Sequence, residues 1–418
     1  MRTRDLARHV LFASLLTTLP GCYLAHERPA PAATSTIDPN DLYAAASAPR
    51  PAPTAAGCGA STFAPLAPMG LEDIRNPTLT AIDGGFVASV VHASPLDYPT
   101  AVGRMRGDLT AMLDVPHEAG IVTSGGGEVM RAAMSAGDDG RLASCVVSST
   151  DDAGAFVPGG VAFFDQDGVL EQIVRFGYRC SDVAWVDGRW VAVEVAYPTN
   201  GDAPRDLVVF DAALAITRRI DLAYASAIAT LADRVVDLNG LVIVAGPYGT
   251  DAERLTTIDL ETGFVRSLDF PFAPPVALTA SQLALIAHGG HLGVAWIDRD
   301  GNVWWATLDD TLTFSDDAVS LGTAGPFTGF IDARPIDGGV VLAWASGTGA
   351  SEPITIALVA DDGTPTLVHP TLPPSVSSTI ETLQLAVQGD VVAIALDADS
   401  PDLFGSTVGI WSARCRAR

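Results

Sequence analysis

A nine-residue segment of alternating apolar residues recurs seven times along the chain, at intervals of about 50 residues. The copies begin at Gly85, Gly140, Gly188, Gly240, Gly290, Gly339 and Gly389, which lie 55, 48, 52, 50, 49 and 50 residues apart. Two positions after each glycine the residue is large and apolar, and four positions after it the residue is small or β-branched. Since alternate residues of a strand face the same side, each copy predicts a strand whose buried face narrows along its length. Asp-Gly, Asn-Gly or Gly-Gly precedes most copies, as a tight hairpin turn requires.

Each period also holds further short β-prone runs, such as SDVAWV before Gly188 and DLVVFD and ITRRIDL after it. Four strands in about 50 residues is the size of one propeller blade. The pattern of residues 59–417 therefore resembles β-propellers as a class, which implies an all-β, seven-bladed β-propeller of four-stranded blades. A string of β-sandwich domains is the alternative, but such domains need about 100 residues each and do not repeat every 50.

A ring of blades has to close, and the last copy supplies only three strands, ending at VGIWSARC. The β-prone segment ASTFAPL, near the start of the repeat region, is the candidate for the missing strand. In that arrangement Cys58 lies beside Cys415, and we expect a disulfide between them. A second disulfide is expected between Cys145 in the second blade and Cys180 at the start of the third. Four cysteines in an exported chain permit three connectivities, and the repeat favours this one.

The first 22 residues have the layout of a secretory signal: three arginines, an apolar run from Val10 to Leu19, and then Leu19-Pro20-Gly21-Cys22. This ending resembles the lipobox of bacterial lipoproteins, which implies cleavage after residue 21 and a diacylated Cys22 at the new N-terminus. An ordinary cleaved signal with a nearby cysteine is the alternative. The residue after the cysteine is Tyr23 and not an Asp, which resembles lipoproteins sent onward to the outer membrane.

Residues 23–57 are dominated by Ala, Pro, Ser and Thr and have almost nothing to bury. We therefore predict a signal peptide over 1–21, a disordered tether over 22–57 and a propeller domain over 58–418. No other stretch has the roughly 18 to 20 uncharged apolar residues of a transmembrane helix, so the predicted membrane attachment is through the N-terminal lipid only. We expect an exported chain on the cell envelope at the outer membrane, with its periplasmic or surface face left open.

The formal net charge of −25 becomes −27 once residues 1–21 are removed. So acidic a chain repels phosphate backbones and anionic lipid head groups, and we expect no nucleic-acid partner. All 24 basic residues are arginine. A P-loop lysine, a Schiff-base lysine and a Ser-x-x-Lys nucleophile pair are therefore impossible.

Two short segments are candidates for ligand binding. His288-Gly289-Gly290-His291 places two imidazoles across a predicted turn, but two ligands do not make a metal site, and no HExxH or paired Cys motif is present, so we predict no metal. Trp304 and Trp305 offer a stacking platform for a sugar. Adjacent residues of a strand face opposite sides, however, so we expect one of the two to lie in the core.

Clustered aspartates could serve as calcium ligands in three segments: Asp165-Gln166-Asp167-Gly168, Asp298-Arg299-Asp300-Gly301 and Asp361-Asp362-Gly363. None continues into a twelve-residue loop with a terminal glutamate, so hairpin turns are the favoured interpretation. Asp259-Leu260-Glu261-Thr262-Gly263 resembles the Asp-x-x-Thr-Gly turn of quinone-binding and related propeller repeats. It occurs once, and a hairpin turn explains it without a ligand, so no cofactor is predicted.

Catalytic residues cannot be assigned, because there is no Gly-x-Ser-x-Gly segment and paired acids cannot be recognised among 49 carboxylates. The leading hypothesis is a non-catalytic binding or scaffolding domain for an unidentified envelope protein or glycan. The alternatives are an envelope hydrolase or lyase acting on glycans at the channel mouth, and a subunit of an envelope assembly. Polar residues converging there from several blades favour an enzyme, whereas a small or apolar lining favours binding.

Overall fold

Each copy of the repeat folds into an antiparallel sheet, or blade, in the computed structural model of the chain. The described residues all belong to one compact unit, Ala45–Arg418. They are 55–65, 74–92, 99–106, 114–122, 134–146, 149–150, 156–176, 179–196, 203–226, 233–248, 252–269, 283–298, 300–309, 312, 318–324, 330–346, 353–373, 376, 380–399 and 406–418. The predicted signal peptide, Cys22 and nearly all of the predicted tether lie outside the described residues.

The strands of the first three blades follow two short N-terminal strands, β1 (Gly57–Cys58) and β2 (Thr62–Pro65). Blade 1 contains β3 (Ile74–Ile82), β4 (Gly85–His92), β5 (Pro99–Arg106) and β6 (Asp114–Val122). Blade 2 begins with β7 (Met134–Ala136) and β8 (Leu142–Val146), continues through a separate hairpin of β9 (Ser149–Thr150) and β10 (Phe156–Val157), and ends with β11 (Gly160–Phe164) and β12 (Leu170–Arg175). Blade 3 contains β13 (Arg179–Val186), β14 (Arg189–Val195), β15 (Ala203–Phe210) and β16 (Ile216–Ser226).

The remaining four blades repeat the same order of strands. Blade 4 contains β17 (Arg234–Leu238), β18 (Leu241–Tyr248), β19 (Ala252–Asp259) and β20 (Val265–Asp269). Blade 5 contains β21 (Leu283–His288), β22 (His291–Ile297), β23 (Asn302–Leu308) and β24 (Val319–Thr323). Blade 6 contains β25 (Ile331–Ile336), β26 (Gly339–Ala345), β27 (Ile354–Ala360) and β28 (Pro365–Val368). Blade 7 contains β29 (Ile380–Gln388), β30 (Val391–Asp399) and β31 (Ser406–Arg416).

The first strands of the blades form a closed ring. Each contacts the first strand of the next blade, in the order β3, β7, β13, β17, β21, β25 and β29, and β29 contacts β3. Four-stranded sheets arranged around a central channel by their first strands define a propeller. The prediction of an all-β, seven-bladed β-propeller is confirmed. The described residues contain no helix long and apolar enough to cross a membrane.

The ring is closed by the N-terminal strands. Both β1 and β2 pair with β31, so that Phe63 lies opposite Trp411 and completes the outer edge of blade 7. The Phe63 ring covers Gly409, where an added Cβ would lie 2.2 Å from its Cζ atom. Cys58 is bonded to Cys415 directly across this pairing. The N-terminal segment therefore supplies the strand that the last copy of the repeat lacks, as the sequence predicts.

A second disulfide joins neighbouring blades. Cys145 in β8 is bonded to Cys180 in β13, so the link runs from the second strand of blade 2 to the first strand of blade 3. Both sulfurs are buried among the aromatic residues that fill the space between these blades. Both expected disulfide pairings are thus present in the structure.

The consecutive antiparallel strands give the propeller two different faces. One face carries the connections from first to second and from third to fourth strands, and we call it the turn face. The other carries the connections from second to third strands and from one blade to the next, and we call it the loop face. On the turn face, Asp187-Gly188, Asn239-Gly240 and Gly289-Gly290 have positive φ at both residues. These are the tight hairpin turns that the dipeptides predict.

The second strand of each blade is buried on both sides, because it lies between two neighbouring blades. All seven residues of β26 are buried, and so are six of the seven in β22. The repeat pattern predicts one buried face for this strand, and that prediction is wrong. A strand enclosed on both faces is apolar throughout, so its sequence does not show which residues share a face.

When the seven copies are aligned on their glycines, residues at the same aligned position do not all lie on the same side of their strand. Trp190 and Leu292, two positions after their glycines, pack against the preceding blade. Val341 and Val391 hold the same place in the alignment but pack against the following blade. Blades 1, 6 and 7 differ because their hairpin turns lie one residue away from the aligned glycine, and a shift of one residue reverses the face of every side chain.

Removing the closing disulfide is expected to destabilise the propeller more than removing the other one. The two bridges span 357 and 35 residues, respectively. In the chain-entropy description the longer loop is worth about 2 kcal/mol more. The double variant Cys58→Ser/Cys415→Ser should therefore lose more free energy of unfolding in denaturant titrations than Cys145→Ser/Cys180→Ser. Equal losses, or a larger loss for the second pair, would contradict the role assigned to the closure.

Candidate functional site

Four charged side chains from three blades meet around the channel. They are Asp182 in β13, Arg234 in β17, and Asp332 and Arg334 in β25, and we call them the channel cluster. The positive charges of Arg234 and Arg334 both act to lower the pKa of Asp182. Since β25 belongs to blade 6 and β13 to blade 3, the influence of Arg334 acts across the ring. Charged residues thus converge on the channel from several blades.

The two carboxylates of the channel cluster connect neighbouring blades in the same way. Oδ2 of Asp182 accepts a hydrogen bond from the backbone N–H of Val235 at 2.8 Å. Oδ2 of Asp332 accepts one from the backbone N–H of Leu385 at 2.9 Å. In both cases the donor lies 53 residues further along the chain, in the first strand of the next blade. Val235 and Leu385 hold equivalent positions in their strands. These carboxylates therefore hold the inner strands of adjacent blades together.

A similar link closes the inner ring. Oε1 of Gln384 in blade 7 accepts a hydrogen bond from the backbone N–H of Leu79 in blade 1 at 3.3 Å. Nε2 of Gln388 donates to the carbonyl oxygen of Ile82 at 2.8 Å. Blades 7 and 1 are therefore joined at the channel by side chains, in addition to the strand pairing at the outer edge.

The surroundings of the two aspartates differ. Oδ1 of Asp332 accepts hydrogen bonds from Nη1 of Arg334 at 2.6 Å and from the backbone N–H of Ala333 at 2.9 Å. Asp182 is 8% exposed, and its Oδ1 accepts from the backbone N–H of Val183 at 3.0 Å. Burial raises the pKa of Asp182 to about 6, against the lowering effects of Arg234, of the backbone hydrogen bonds and of Arg334. Asp182 is therefore expected to titrate near pH 6.

A buried ion pair lies beside the channel cluster. Nε of Arg205 in β15 donates to both carboxylate oxygens of Asp233, at 3.0 and 3.2 Å, and both side chains are fully buried. The backbone N–H of Asp233 donates to Oγ of Ser181 at 3.2 Å. This ion pair ties the third strand of blade 3 to the residue before blade 4. Loss of one partner would leave a buried charge uncompensated, which typically costs 3–5 kcal/mol.

Blade 3 also carries a row of acidic side chains. Glu194, Asp206 and Asp221 are opposite one another on neighbouring strands. Burial raises the pKa of Asp206, the negative charge of Asp221 raises it further, and Arg219 opposes both. Arg219 also forms an ion pair with the buried Glu194. In the part of the chain that the structure describes, no group of three His, Cys, Asp or Glu residues is placed to hold a metal ion.

His288 and His291 lie opposite each other on the two strands of the Gly289-Gly290 turn. Nε2 of His288 forms a 2.8 Å hydrogen bond with Oδ1 of Asp361, which lies in the turn between β27 and β28. This contact joins blades 5 and 6 on the turn face, away from the loop connections. A ligand role for these histidines stays a prediction.

The two adjacent tryptophans have separate environments. Trp305 is 4% exposed in the core between blades 5 and 6, and its ring covers Gly293. Trp304 is half-buried and stacks on Trp296, with ring centroids 6.4 Å apart. The expectation that one of the pair is a core residue is confirmed. Trp305 cannot form a platform, so Trp304 remains the candidate for stacking on a ligand.

The aspartates of the Asp-Gly segments stabilise turns. Oδ1 of Asp165 accepts hydrogen bonds from the backbone N–H groups two and four residues later, at 2.9 and 2.8 Å. Asp298 makes the same two bonds, and its Oδ2 also accepts from Nε1 of Trp304 at 2.8 Å. Burial acts to raise the pKa of Asp298, but the hydrogen bonds from Asn302, Trp304 and Asp300 outweigh it and lower the pKa. The turn interpretation of both segments is confirmed.

The Asp-x-x-Thr-Gly segment is a hairpin turn as well. Oδ1 of Asp259 accepts from the backbone N–H groups of Glu261 and Thr262, at 2.8 and 3.1 Å. Gly263 has a φ of 73°, and its N–H donates to the carbonyl oxygen of Asp259 at 2.7 Å. The segment connects β19 to β20 on the turn face, as a hairpin explanation requires.

The channel cluster is not predicted from the sequence. A usable signal exists, because Asp182 and Asp332 each stand six residues before the glycine of the first hairpin turn, in a strand that is otherwise mainly apolar. A charged residue at a fixed place of a buried inner strand needs a partner, and here the partner is the backbone of the next blade. The partners themselves become visible only once the ring is formed.

No protein-family model and no curated protein sequence matches this chain. Among solved structures, it is similar to the beta-propeller domain of the Trilobed protease from Pyrococcus furiosus, with a TM-score of 0.49 and 8% identity over 82% of this chain and 93% of that one. The Trypanosoma rangeli sialidase gives a TM-score of 0.46 and 10% identity over 85% of this chain and 59% of that protein. SapL1 lectin in complex with alpha methyl fucoside gives 0.44 and 11% identity over 72% of this chain and 98% of that one. With similarities of this size, function has to be inferred from the residues of this chain.

The raised pKa of Asp182 predicts a particular dependence of stability on pH. Because the folded protein binds this proton more tightly than the unfolded chain, ionisation of Asp182 costs folding free energy, and its contribution is lost as the pH rises through about 6. Between pH 4 and pH 7, wild type should lose about 2 kcal/mol relative to Asp182→Asn in urea titrations, on top of the effects of all other groups.

The comparison needs a control for the lost link between blades. Asp332→Asn changes the other carboxylate that accepts a hydrogen bond from the next blade, together with its ion pair to Arg334, and so gives an upper limit on what the lost link costs at a single pH. A difference between wild type and Asp182→Asn that stays constant from pH 4 to pH 7 would contradict the assignment.

Proposed function

We propose that this chain is an exported envelope protein, anchored by a lipid on Cys22, whose propeller is a non-catalytic binding or scaffolding domain. The proposal places recognition on the loop face, with an envelope protein or glycan as the partner. It rests on the signal-like leader, the Ala/Pro-rich segment before the propeller, and the different character of the two faces.

The observation that carries the proposal is the difference in connection length between the faces. In six blades the first turn on the turn face has two residues. Three connections on the loop face are long, with eleven residues at 123–133, thirteen at 270–282 and eleven at 369–379, whereas the longest on the turn face has ten, at 309–318. Other loop-face connections are short, such as the three residues at 249–251. The extra β9–β10 hairpin also lies on the loop face, between the second and third strands of blade 2. Long connections on a rigid scaffold are where recognition residues concentrate.

The scaffold has the rigidity that this role needs. The Cys58–Cys415 disulfide joins the first and last described strands, and the Cys145–Cys180 disulfide joins blades 2 and 3. Hydrogen bonds from side chains to backbone join the inner strands of several neighbouring blades. In the channel cluster, the oxygens of Asp182 and Asp332 already accept hydrogen bonds from backbone groups or from Arg334. A catalytic acid or base has to reach a substrate proton, and carboxylates held in this way are better suited to holding the ring.

One observation favours a second candidate, a hydrolase or lyase acting on glycans at the channel mouth. Asp182 has a pKa of about 6, which two arginines act to lower, in a channel where charged residues from several blades converge. Carboxyl groups with raised pKa values serve as general acids in glycoside hydrolysis. For this candidate Asp182→Asn would abolish turnover of a glycan while the fold stays intact.

The test uses two matched positions on opposite faces. Asp300 and Asp167 are both exposed, and both are the third residue of an Asp-x-Asp-Gly turn. Asp300 lies between the second and third strands of blade 5, on the loop face, and Asp167 lies between the third and fourth strands of blade 2, on the turn face. A photo-reactive phenylalanine analogue at each position reports which face a partner approaches.

In native envelopes we expect a discrete cross-linked product from position 300 and none from position 167, identified by mass spectrometry. The product should be lost in a Cys22→Ser background, where the lipid anchor is absent. Cross-linking from position 167 alone, or turnover of an envelope glycan that Asp182→Asn abolishes, would overturn the binding proposal.

A further inference from the structure

We infer that the channel contains a binding site for the carboxylate of a ligand, formed between blades 4 and 5 by the guanidinium group of Arg234 and the backbone N–H of Leu285. The site is separate from the loop connections to which the proposed function assigns a partner, and it does not depend on the lipid anchor. At this point the chain leaves open a hydrogen-bonding pattern that it completes with its own side chains in other blades.

The register of the hairpins determines which backbone groups face the channel. In blade 5 the two-residue turn closes on the pair His288 and His291, so Leu285 and Val294, three positions further, form a non-hydrogen-bonded pair. The N–H of Leu285 therefore points away from the second strand, which for a first strand means towards the channel. In the same register lie Leu79, Val183, Val235, Ala333 and Leu385 of blades 1, 3, 4, 6 and 7.

In each of those five strands this N–H has an acceptor within the chain. For blades 1, 4 and 7 the acceptor is a side chain of the preceding blade, at 3.3, 2.8 and 2.9 Å. For blades 3 and 6 it is the aspartate that precedes the donor in the same strand, at 3.0 and 2.9 Å. Buried backbone donors are nearly always satisfied in such ways.

The N–H of Leu285 is the exception among these first strands. Leu285 is buried, yet none of the described residues supplies an acceptor for its N–H. The residue before it, Ala284, has no polar side-chain atom. The residue of blade 4 at the accepting position is Arg234, whose guanidinium group can only donate. A donor in a buried inner strand is thus left for an acceptor from outside the chain.

Arg234 faces the same interface. Val236 and Leu238 of β17 pack together with Leu285 between blades 4 and 5, and alternate residues of a strand lie on the same side. The side chain of Arg234 therefore leaves β17 on the side of blade 5. Arg234 is half-buried at the loop-face end of this strand, and its positive charge acts on Asp182 at the equivalent position of blade 3. A cation thus stands where other blades have an acceptor.

Blades 6 and 7 show what completes a site of this kind. The carboxylate of Asp332 lies between a guanidinium group and an inner-strand N–H: Oδ1 accepts from Nη1 of Arg334 at 2.6 Å, and Oδ2 accepts from the N–H of Leu385 at 2.9 Å. Arg234 and Leu285 offer the same two kinds of donor, and no carboxylate of the described chain binds Leu285. Because charge-assisted hydrogen bonds are about twice as strong as neutral ones, a carboxylate fits this pair better than a hydroxyl or an amide does.

The test follows the amide resonance of Leu285 in the purified protein made with isotope-labelled leucine, and the resonance is assigned by its loss in Leu285→Ile. Sodium acetate is titrated against sodium chloride at equal ionic strength, with acetamide as the neutral analogue. We expect acetate to move the amide proton downfield with a dissociation constant on the order of 1 to 10 mM, and acetamide to have little effect.

Three variants separate this site from a general effect of charge. Arg234→Gln should weaken the acetate response about tenfold or more, because it replaces a hydrogen bond to a charged group by a neutral one. Arg334→Gln is the matched control: it removes a guanidinium group from the same channel, where the N–H of Leu385 is already bound by Asp332, and should leave the response intact. Arg234→Asp should move the Leu285 amide downfield without acetate and abolish the response, because it supplies the missing acceptor.

The site is overturned if the Leu285 amide ignores acetate, responds equally to acetamide, or loses its response equally in Arg234→Gln and Arg334→Gln. A response that Arg234→Gln leaves unchanged overturns it as well. Glucuronate compared with glucose, and N-acetylalanine compared with its amide, then separate two sources of the carboxylate. The acid that acts at the lower concentration identifies the ligand group as that of a sugar acid or of a peptide C-terminus.

Discussion

The pairing of the N-terminal strands with β31 is the constraint on which the rest of the structure depends. A propeller blade is buried on both faces only when the ring is complete, and here completion requires residues from both ends of the described chain. Phe63 seated on Gly409 and the Cys58–Cys415 bond hold this closure. Without it, the face of blade 7 that packs on blade 1 would be exposed to water.

Closure also determines where charge can be tolerated inside the ring. Apart from the buried Arg205–Asp233 ion pair, the contacts between blades are mainly apolar. The charged groups Asp182 and Asp332 of the inner strands lie at the channel and accept hydrogen bonds from the backbone of the next blade. The same geometry sends the first and third connections of each blade to one face, and the second connection and the links between blades to the other. The stability of the ring and the placing of its connections thus follow from one arrangement of strands.

Much of this architecture could be predicted from the sequence, because its repeat is visible in single residues. The spacing of the turn glycines predicts seven blades, and the unpaired ASTFAPL segment predicts the closure and the Cys58–Cys415 bond. The face of each second strand could not be predicted, since both faces are apolar and a turn shifted by one residue reverses them. The channel cluster could not be predicted for a different reason: its members come from three blades far apart in sequence, and two blades separate Asp182 from Arg334.

The central claim is that residues near the start of the described chain complete the last blade, and disulfide mapping of the purified, unreduced protein tests it most directly. Proteolysis followed by mass spectrometry should yield a peptide containing Cys58 joined to one containing Cys415, and a second pair containing Cys145 and Cys180. Cys58 joined to Cys145 or Cys180 would contradict the account, because those residues lie in blades 2 and 3, away from the closure.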